Sequence, residues 1–239
     1  DCFTKQLLIY KNMSSTAVIM KKTVLITGAG SGFGKATAIE LADRGHRVIA
    51  ATETQVQANL LALSCPNLAA LKLDVTNEQD IAKVMALNPS VLINNASDVP
   101  IGGSIASIPV SRIRNGFNVN VFGMVDMMQA VIPGMKLHGG GRVINVSPVA
   151  GDAPFPLVAP YCMTKFAVDA LTKCARAELA PFNIDVTCVS PGHYKTGLSE
   201  IMDKGNQMIN DEESSALLDA MPRTFIMQVS NTLADLAEA

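Results

Sequence analysis

The sequence is poor in the residues that build metal centres and disulfide frameworks. It has three histidines, and its five cysteines (Cys2, Cys65, Cys162, Cys174 and Cys188) are odd in number, scattered and without C-x-x-C spacing. That pattern predicts neither a metal site nor a disulfide scaffold and suits a reduced cytosol. Basic blocks and interleaved aromatic and basic residues are missing too. With a net charge of −2 and 17% charged residues, nucleic acid is not the expected partner. Every long apolar stretch is broken by glycine, proline or charge before it reaches membrane-spanning length, so a soluble, cytoplasmic chain with no membrane partner is expected. No linker or shift in composition divides the 239 residues, and residues 20–239 read as one domain. Residues 1–19 begin Asp-Cys-Phe-Thr, and Met13 and Met20 look like better starting points. They read as an extension or cloning remnant, with a strand at the sheet edge as the alternative. Their Leu-Leu-Ile-Tyr run is too short for a signal-peptide core.

Glycine, by contrast, is concentrated at one place. Val24-Leu-Ile-Thr-Gly-Ala-Gly-Ser-Gly-Phe-Gly-Lys-Ala36 follows an apolar run with glycines at 28, 30, 32 and 34 and leads into a helical pattern. Such a turn admits positive φ, lets a ligand approach the backbone, and offers a helix N-terminus to an anion such as phosphate. The G-x-G-x-x-G fingerprint does not fit, because Phe33 or Lys35 falls where the third glycine belongs, and no G-K-[ST] closes a P-loop. The pattern T-G-x-x-x-G-x-G does fit, as Thr27, Gly28, Gly32 and Gly34. Tight strand-to-helix packing is the plain alternative to cofactor binding.

From Lys22 onward, short β-branched runs alternate with helical periods. Strands are expected at Val24–Thr27, Arg47–Ala51, Ala69–Leu73, Val91–Asn94, Arg142–Val146 and Ile184–Val189. Helices are expected at 33–44, 55–64, 77–87, 111–136 and 161–180, with Thr76-x-x-Gln79 read as a capping box and Pro181 as a stop. This βαβ repetition predicts an α/β, Rossmann-type, doubly wound parallel sheet between two helical layers, with ligands at the carboxyl ends of the strands.

Tyr161 and Lys165 stand four apart, so a helix puts the phenol and the ammonium on one face. A phenol of pKa ~10 needs a neighbouring cation to exchange protons near neutrality. A chance Tyr–Lys pair on a solvated helix is the competing reading. Ser147 follows the Arg142–Val146 run and so falls at a carboxyl end of the sheet, as a substrate-facing hydroxyl or an ordinary loop serine. Asn120 lies inside an expected long helix between apolar neighbours, where Asn calls for a reason: holding a water, or a buried hydrogen bond.

Taken together, Thr27-Gly28-x3-Gly32-x-Gly34, Asp74-Val75, Asn94-Asn95-Ala96, Asn120, Ser147, Tyr161-x3-Lys165 and Pro191-Gly192 with Thr196 resemble the compact single-domain branch of the short-chain dehydrogenase/reductase family over about residues 20–200. The wording Gly-Ser-Gly-Phe-Gly34 and Tyr-Cys-Met-Thr-Lys-Phe-Ala-Val168 looks most like its retinol- and hydroxysteroid-dehydrogenase-like members. The resemblance implies an NAD(P)-dependent oxidoreductase that interconverts a secondary alcohol and a carbonyl. Tyr161 would be the general acid/base and Lys165 would lower its pKa and bind the nicotinamide ribose. Ser147 would orient the substrate, and Asn120 would hold a water in a proton relay. The cofactor would meet Thr27, Gly28, Ser31, Gly32, Phe33 and Gly34 at the pyrophosphate, and Thr52 and Glu53 at the adenosine ribose. Asp74 and Val75 would meet the adenine, Asn94 and Ala96 would border that ribose, and Pro191, Gly192, Tyr194 and Thr196 would flank the nicotinamide, beside Tyr161 and Lys165.

Two departures stand out. Ser97 occupies a position where the family usually has glycine, which would strain the backbone if that position required positive φ. No terminal β-run is legible in 198–239, so a seventh strand is not expected. A non-catalytic dinucleotide-binding regulator is the alternative function, and the larger sugar-nucleotide epimerase relatives are disfavoured because Ser31 stands where their turn needs glycine. The substrate is expected to be a small alcohol or carbonyl, held by 98–104, 148–160 and 197–225. Acidic Glu53, with no basic residue at 31 or 52, leans the cofactor choice toward NAD over NADP, with Lys35 after the glycine turn as the counterweight and capping of the next helix by Thr52 and Glu53 as the plain alternative. Apolar stripes on 111–136 and 161–180, including Met124, Met127, Met128, Val131, Phe166, Ala170 and Cys174, fit either self-association or plain packing onto the sheet, and the resemblance implies a homodimer or homotetramer.

Overall fold

The computed structural model describes residues 21–98, 103–147 and 157–191. The β-branched runs become six strands: β1 (Thr23–Ile26), β2 (Arg47–Thr52), β3 (Ala69–Lys72), β4 (Val91–Asn94), β5 (Gly141–Val146) and β6 (Ile184–Val189). All pair in parallel, in the order β3-β2-β1-β4-β5-β6. The order reverses between β1 and β4, which opens a crevice above their carboxyl ends, where doubly wound sheets bind ligands.

Alternation along the strands divides the core in two. Leu25, Ile49, Ala51, Leu92 and Val143 face one layer, while Val24, Ile26, Val48, Ala50 and Ile93 face the other. The second layer holds α1 (Gly32–Asp43) and α2 (Gln55–Ser64), which contribute Ala38 and Leu61. The first layer holds α3 (Glu78–Val84), α4 (Val110–Phe117), α5 (Gly123–Leu137) and α6 (Ala159–Leu179). No described helix is long and apolar enough to cross a membrane.

The structure corrects the expected elements in three places. The helix expected over 111–136 is two α-helices joined by a π-turn at Asn118–Phe122, where the Gly123 N–H reaches back five residues to the Asn118 carbonyl. The cap of α3 is Asn77, whose side chain accepts from the Asp80 N–H at 3.1 Å, whereas the Thr76 hydroxyl donates to the Asp74 carboxylate. A reciprocal capping box forms instead at Thr54 and Gln57, at the start of α2. Finally, Met124, Met127, Met128 and Val131 are core residues on the sheet and offer nothing to a second copy, while Phe166, Ala170 and Cys174 remain exposed along α6.

Candidate active site

The glycine turn connects β1 to α1 and is tied to the end of β4. The Thr27 hydroxyl accepts the N–H groups of Asn95 and Ala96, both at 3.0 Å, and the Asn95 amide donates to the carbonyls of Thr27 and Gly28. Gly28 has φ +65°, and at Gly34 an added Cβ would overlap the Gly28 carbonyl oxygen. Helix α1 begins after Ser31 with no side-chain cap and no acidic residue in its first turn. Its first N–H groups therefore point at an uncapped, electropositive end that suits a pyrophosphate. Ser31 is exposed and Phe33 half-buried at this lip.

At the neighbouring strand ends, Thr52 is buried and donates to the Thr54 carbonyl, while Glu53 projects into solvent. The Ala29 N–H bonds the Ala51 carbonyl at 2.8 Å, which holds the turn against β2 and sets Glu53 beside it. Asp74 and Val75 follow β3. The Asp74 N–H bonds the carboxylate of buried Asp80 at 3.0 Å, and Lys72 and Lys83 also pair with that carboxylate. These donors hold the Asp80 carboxyl far below the ordinary carboxylate range, with Lys72 the leading cause. Asp80 thereby fixes the loop that carries Asp74. Val75 is buried against Gly123, where a Cβ would overlap it.

The four candidate catalytic residues converge on the first half of α6. Tyr161 and Lys165 are both buried, with the Lys165 Nζ 5.2 Å from the Tyr161 ring centre. Ser147 leaves β5, its N–H bonded to the Val189 carbonyl of β6, and its hydroxyl makes a long 3.5 Å bond to the Lys165 carbonyl. Asn120 sits in the π-turn with its side chain wholly enclosed. Its amide donates to the Asp98 carbonyl (2.8 Å) and the Thr164 hydroxyl (3.0 Å), and its Oδ1 accepts the Asp98 N–H (2.7 Å). Both amide hydrogens are thus committed to protein, while Oδ1 keeps a second lone pair.

Burial dominates the titration of the pair. It pulls the Lys165 ammonium down to about 8, opposed by Cys188, and pushes the Tyr161 phenol well above 10, with a hydrogen bond from Ser97 opposing and Cys162 adding. The Lys165 Nζ donates to the Ser97 hydroxyl at 3.1 Å. Positive φ among described non-glycine residues is confined to Asn88, Leu157 and Asn183, so Ser97 carries no such strain.

Several contributors were not legible in the sequence. The Thr164 hydroxyl donates to the Tyr161 carbonyl at 2.8 Å and accepts from Asn120, joining the π-turn to the helix of Tyr161. Buried Asn94, Asn145 and Thr172 form a side-chain ladder across β4, β5 and α6. Asn145 carried one weak signal, since Asn is depleted in strand interiors. Asn94 Oδ1 is buried without a partner among the described residues. An orphaned acceptor at the β4 end, beside the glycine turn, fits a site completed by a bound group. Pro191 follows β6 at the limit of the described residues, and Gly192, Tyr194 and Thr196 lie outside them, as do 1–19, 198–239 and much of the expected substrate pocket. No group of three or more His, Cys, Asp or Glu side chains arranged to hold a metal ion occurs among the described residues.

Strand order, glycine turn and uncapped helix together define a dinucleotide-binding protein. The short chain dehydrogenase family pattern matches residues 22–207, and the chain belongs to that family. It is 37% identical over 188 residues to the uncharacterized oxidoreductase YusZ of Bacillus subtilis, covering 74% of this chain and 67% of that one. Of the other relatives the chain spans between 46% and 70% of their length. Among solved structures, NAD+-bound xylitol dehydrogenase superposes with TM-score 0.74 at 27% identity, covering 80% of this chain and 78% of that one. The 3-ketoacyl-(acyl-carrier-protein) reductase of Brucella melitensis, complexed with NADH, gives 0.72 at 30%, covering 78% and 81%. The chain is an NAD(P)-dependent oxidoreductase.

Proposed function

We propose that the protein interconverts a small secondary alcohol and the corresponding carbonyl, with Tyr161 as the group that gives or takes the proton. The convergence of Ser97, Asn120, Ser147, Tyr161 and Lys165 around one stretch of α6, at the end of the sheet that carries the glycine turn, is the observation behind this reading. The nicotinamide, when bound, supplies or accepts the hydride. The turn from Thr27 to Gly34 would back its pyrophosphate, Glu53 and Asn94 would border the adenosine ribose, and Asp74 and Val75 would meet the adenine.

Tyr161 donates its phenolic proton to the carbonyl oxygen in reduction and recovers it in oxidation. Ser147 orients that oxygen by a hydrogen bond once its hydroxyl turns away from the Lys165 carbonyl. Lys165 keeps positive charge close to the phenol, and Asn120 fixes the Asp98 segment and α6 around both. The Tyr161→Phe variant tests the reading, with activity followed by nicotinamide absorbance across a screen of ketones and secondary alcohols. Turnover is expected to vanish while NADH binding stays within about twofold of the unaltered chain. Substantial residual turnover would remove Tyr161 from the role.

A further inference from the structure

We propose that Asp80 is a positioning residue that sets the dinucleotide preference: it holds the Lys72 ammonium away from the adenosine ribose and so leaves Glu53 unopposed at the 2′ position. The inference rests on the placement of that ribose beside Glu53 given above. It begins with the register of the strand ends. Lys72 closes β3, the edge strand, and pairs with Thr52, the last residue of β2. The Leu73 N–H bonds the Thr52 carbonyl at 2.8 Å, so the two ends stay side by side where Glu53 begins. Residues in register leave a parallel sheet on the same face, and the preceding pair on that face, Ala50 and Ala70, packs toward α1 and α2. Lys72 therefore starts out with Thr52, on the side of α1 and α2. Asp80 belongs to α3, in the opposite layer. The ammonium is thus drawn around the free edge of the sheet to a carboxylate in the other layer.

Burial decides which carboxylate keeps the lysine. Asp80 is 4% exposed, and a buried carboxylate is costly unless donors surround it. Its Oδ2 takes both the Lys72 ammonium and the Asp74 N–H, the latter at 3.0 Å, and its Oδ1 takes Lys83 at 2.7 Å. Glu53 is exposed and already hydrated, so a pair with it would return little for the loss of the buried one. Lys72 titrates above its ordinary value, chiefly through its bond to Asp80, with burial opposing and the charges of Asp74 and Glu53 adding. A lysine released from Asp80 would lie among these groups and could form a charge-assisted hydrogen bond with a 2′-phosphate. The sequence spacing that leaves positions 31 and 52 without a cation does not reveal Lys72, because only strand pairing brings it to the end of β2.

Dissociation constants of NADH and NADPH for the full-length chain, read by nicotinamide fluorescence at one salt concentration, test the proposal without any turnover. In Asp80→Asn the amide keeps an acceptor for the Asp74 N–H but no charge to hold Lys72. The ratio of the NADPH constant to the NADH constant is expected to fall about fivefold or more, and adding Lys72→Met is expected to restore it. Lys35, in the first turn of α1, is present in every variant and drops out of the comparison. A merely structural Asp80 would loosen the Asp74 loop for both dinucleotides alike and raise both constants with their ratio unmoved. That result overturns the proposal, as does a lowered ratio that Lys72→Met fails to restore. Should Asp80→Asn fold poorly, Lys72→Met in the otherwise unaltered chain decides. Its ratio is expected to stay within about twofold, because the ammonium is already held off, and a severalfold loss of NADPH binding alone overturns the proposal. Glu53→Gln separates this role from the reading beneath it. A ratio that moves there but not in Asp80→Asn leaves the ribose placement standing and removes Asp80, and a ratio that moves in neither removes both.

Discussion

Asn120 and Thr164 are joined side chain to side chain at 3.0 Å, one in the π-turn before α5 and the other on α6, three residues after Tyr161. The Thr164 hydroxyl passes its own proton to the Tyr161 carbonyl. Thr164→Val keeps the shape and deletes the link, leaving a buried Asn120 N–H without its acceptor. A loss of about 1–3 kcal/mol is expected by denaturant unfolding, with kcat reduced more than KM is raised. Unchanged stability would mean that Asn120 finds another acceptor.

Lys165 gives a stability prediction with a definite sign. Its pKa in the folded chain is about 8, against 10.5 when unfolded, because burial disfavours the ammonium. Between those values the unfolded chain binds more protons, so this group's contribution makes stability rise with pH across the window, and below about 8 the full penalty applies. Lys165→Met should therefore be more stable than the unaltered chain at pH 7, by on the order of 3 kcal/mol, and should lose turnover. Unfolding free energies at pH 7 and 9.5 check it. The difference between the two chains should shrink at the higher pH.

Glu53 is exposed just past β2, beside the turn that would hold the pyrophosphate. Two unit charges about 4 Å apart repel by ~1 kcal/mol in water and ~4 at an effective dielectric of 20, so NADH should bind about tenfold or more tightly than NADPH. Glu53→Gln should narrow that gap. Dissociation constants for both cofactors decide the matter, and equal values in the unaltered chain would mean that Glu53 does not face the ribose.

Self-association remains the expected use of the open face of α6. Met163, Phe166, Ala170 and Cys174 line it at helical spacing, and Phe166 is 42% exposed. Light scattering at micromolar concentration should show a dimer or tetramer, and Phe166→Glu should yield monomer. A monomeric unaltered chain would refute it.

The sheet was legible because buried parallel strands are near-continuous β-branched runs, and all six fall within one residue of their expected limits. The glycine turn and the Tyr161–Lys165 pair were legible for a similar reason, since each is a local spacing. What escaped was either nonlocal or silent in pattern. The Asn120–Thr164 and Asn94–Asn145 bonds join residues 44 and 51 apart, with no local signature. The π-turn keeps the helical spacing of its apolar residues, so nothing marks where one residue too many enters. Whether the methionines of α5 face the core or a second copy is not legible, because sequence alone does not say how much of a helix a sheet will cover. Ser97 was visible only as a missing glycine, and its partners came from the fold.

The π-turn absorbs its surplus residue within one turn, so that α4 and α5 keep their faces nearly in phase across it. Deleting Val119 or Val121 would therefore let α4 and α5 merge into one regular helix with Met127 and Met135 still in the core, and the residue that would turn away is Asn120, from Asp98 and Thr164. A one-residue deletion in the smooth apolar text of Asn118-Val-Asn-Val-Phe122 would thus spare the core and be felt beside Tyr161.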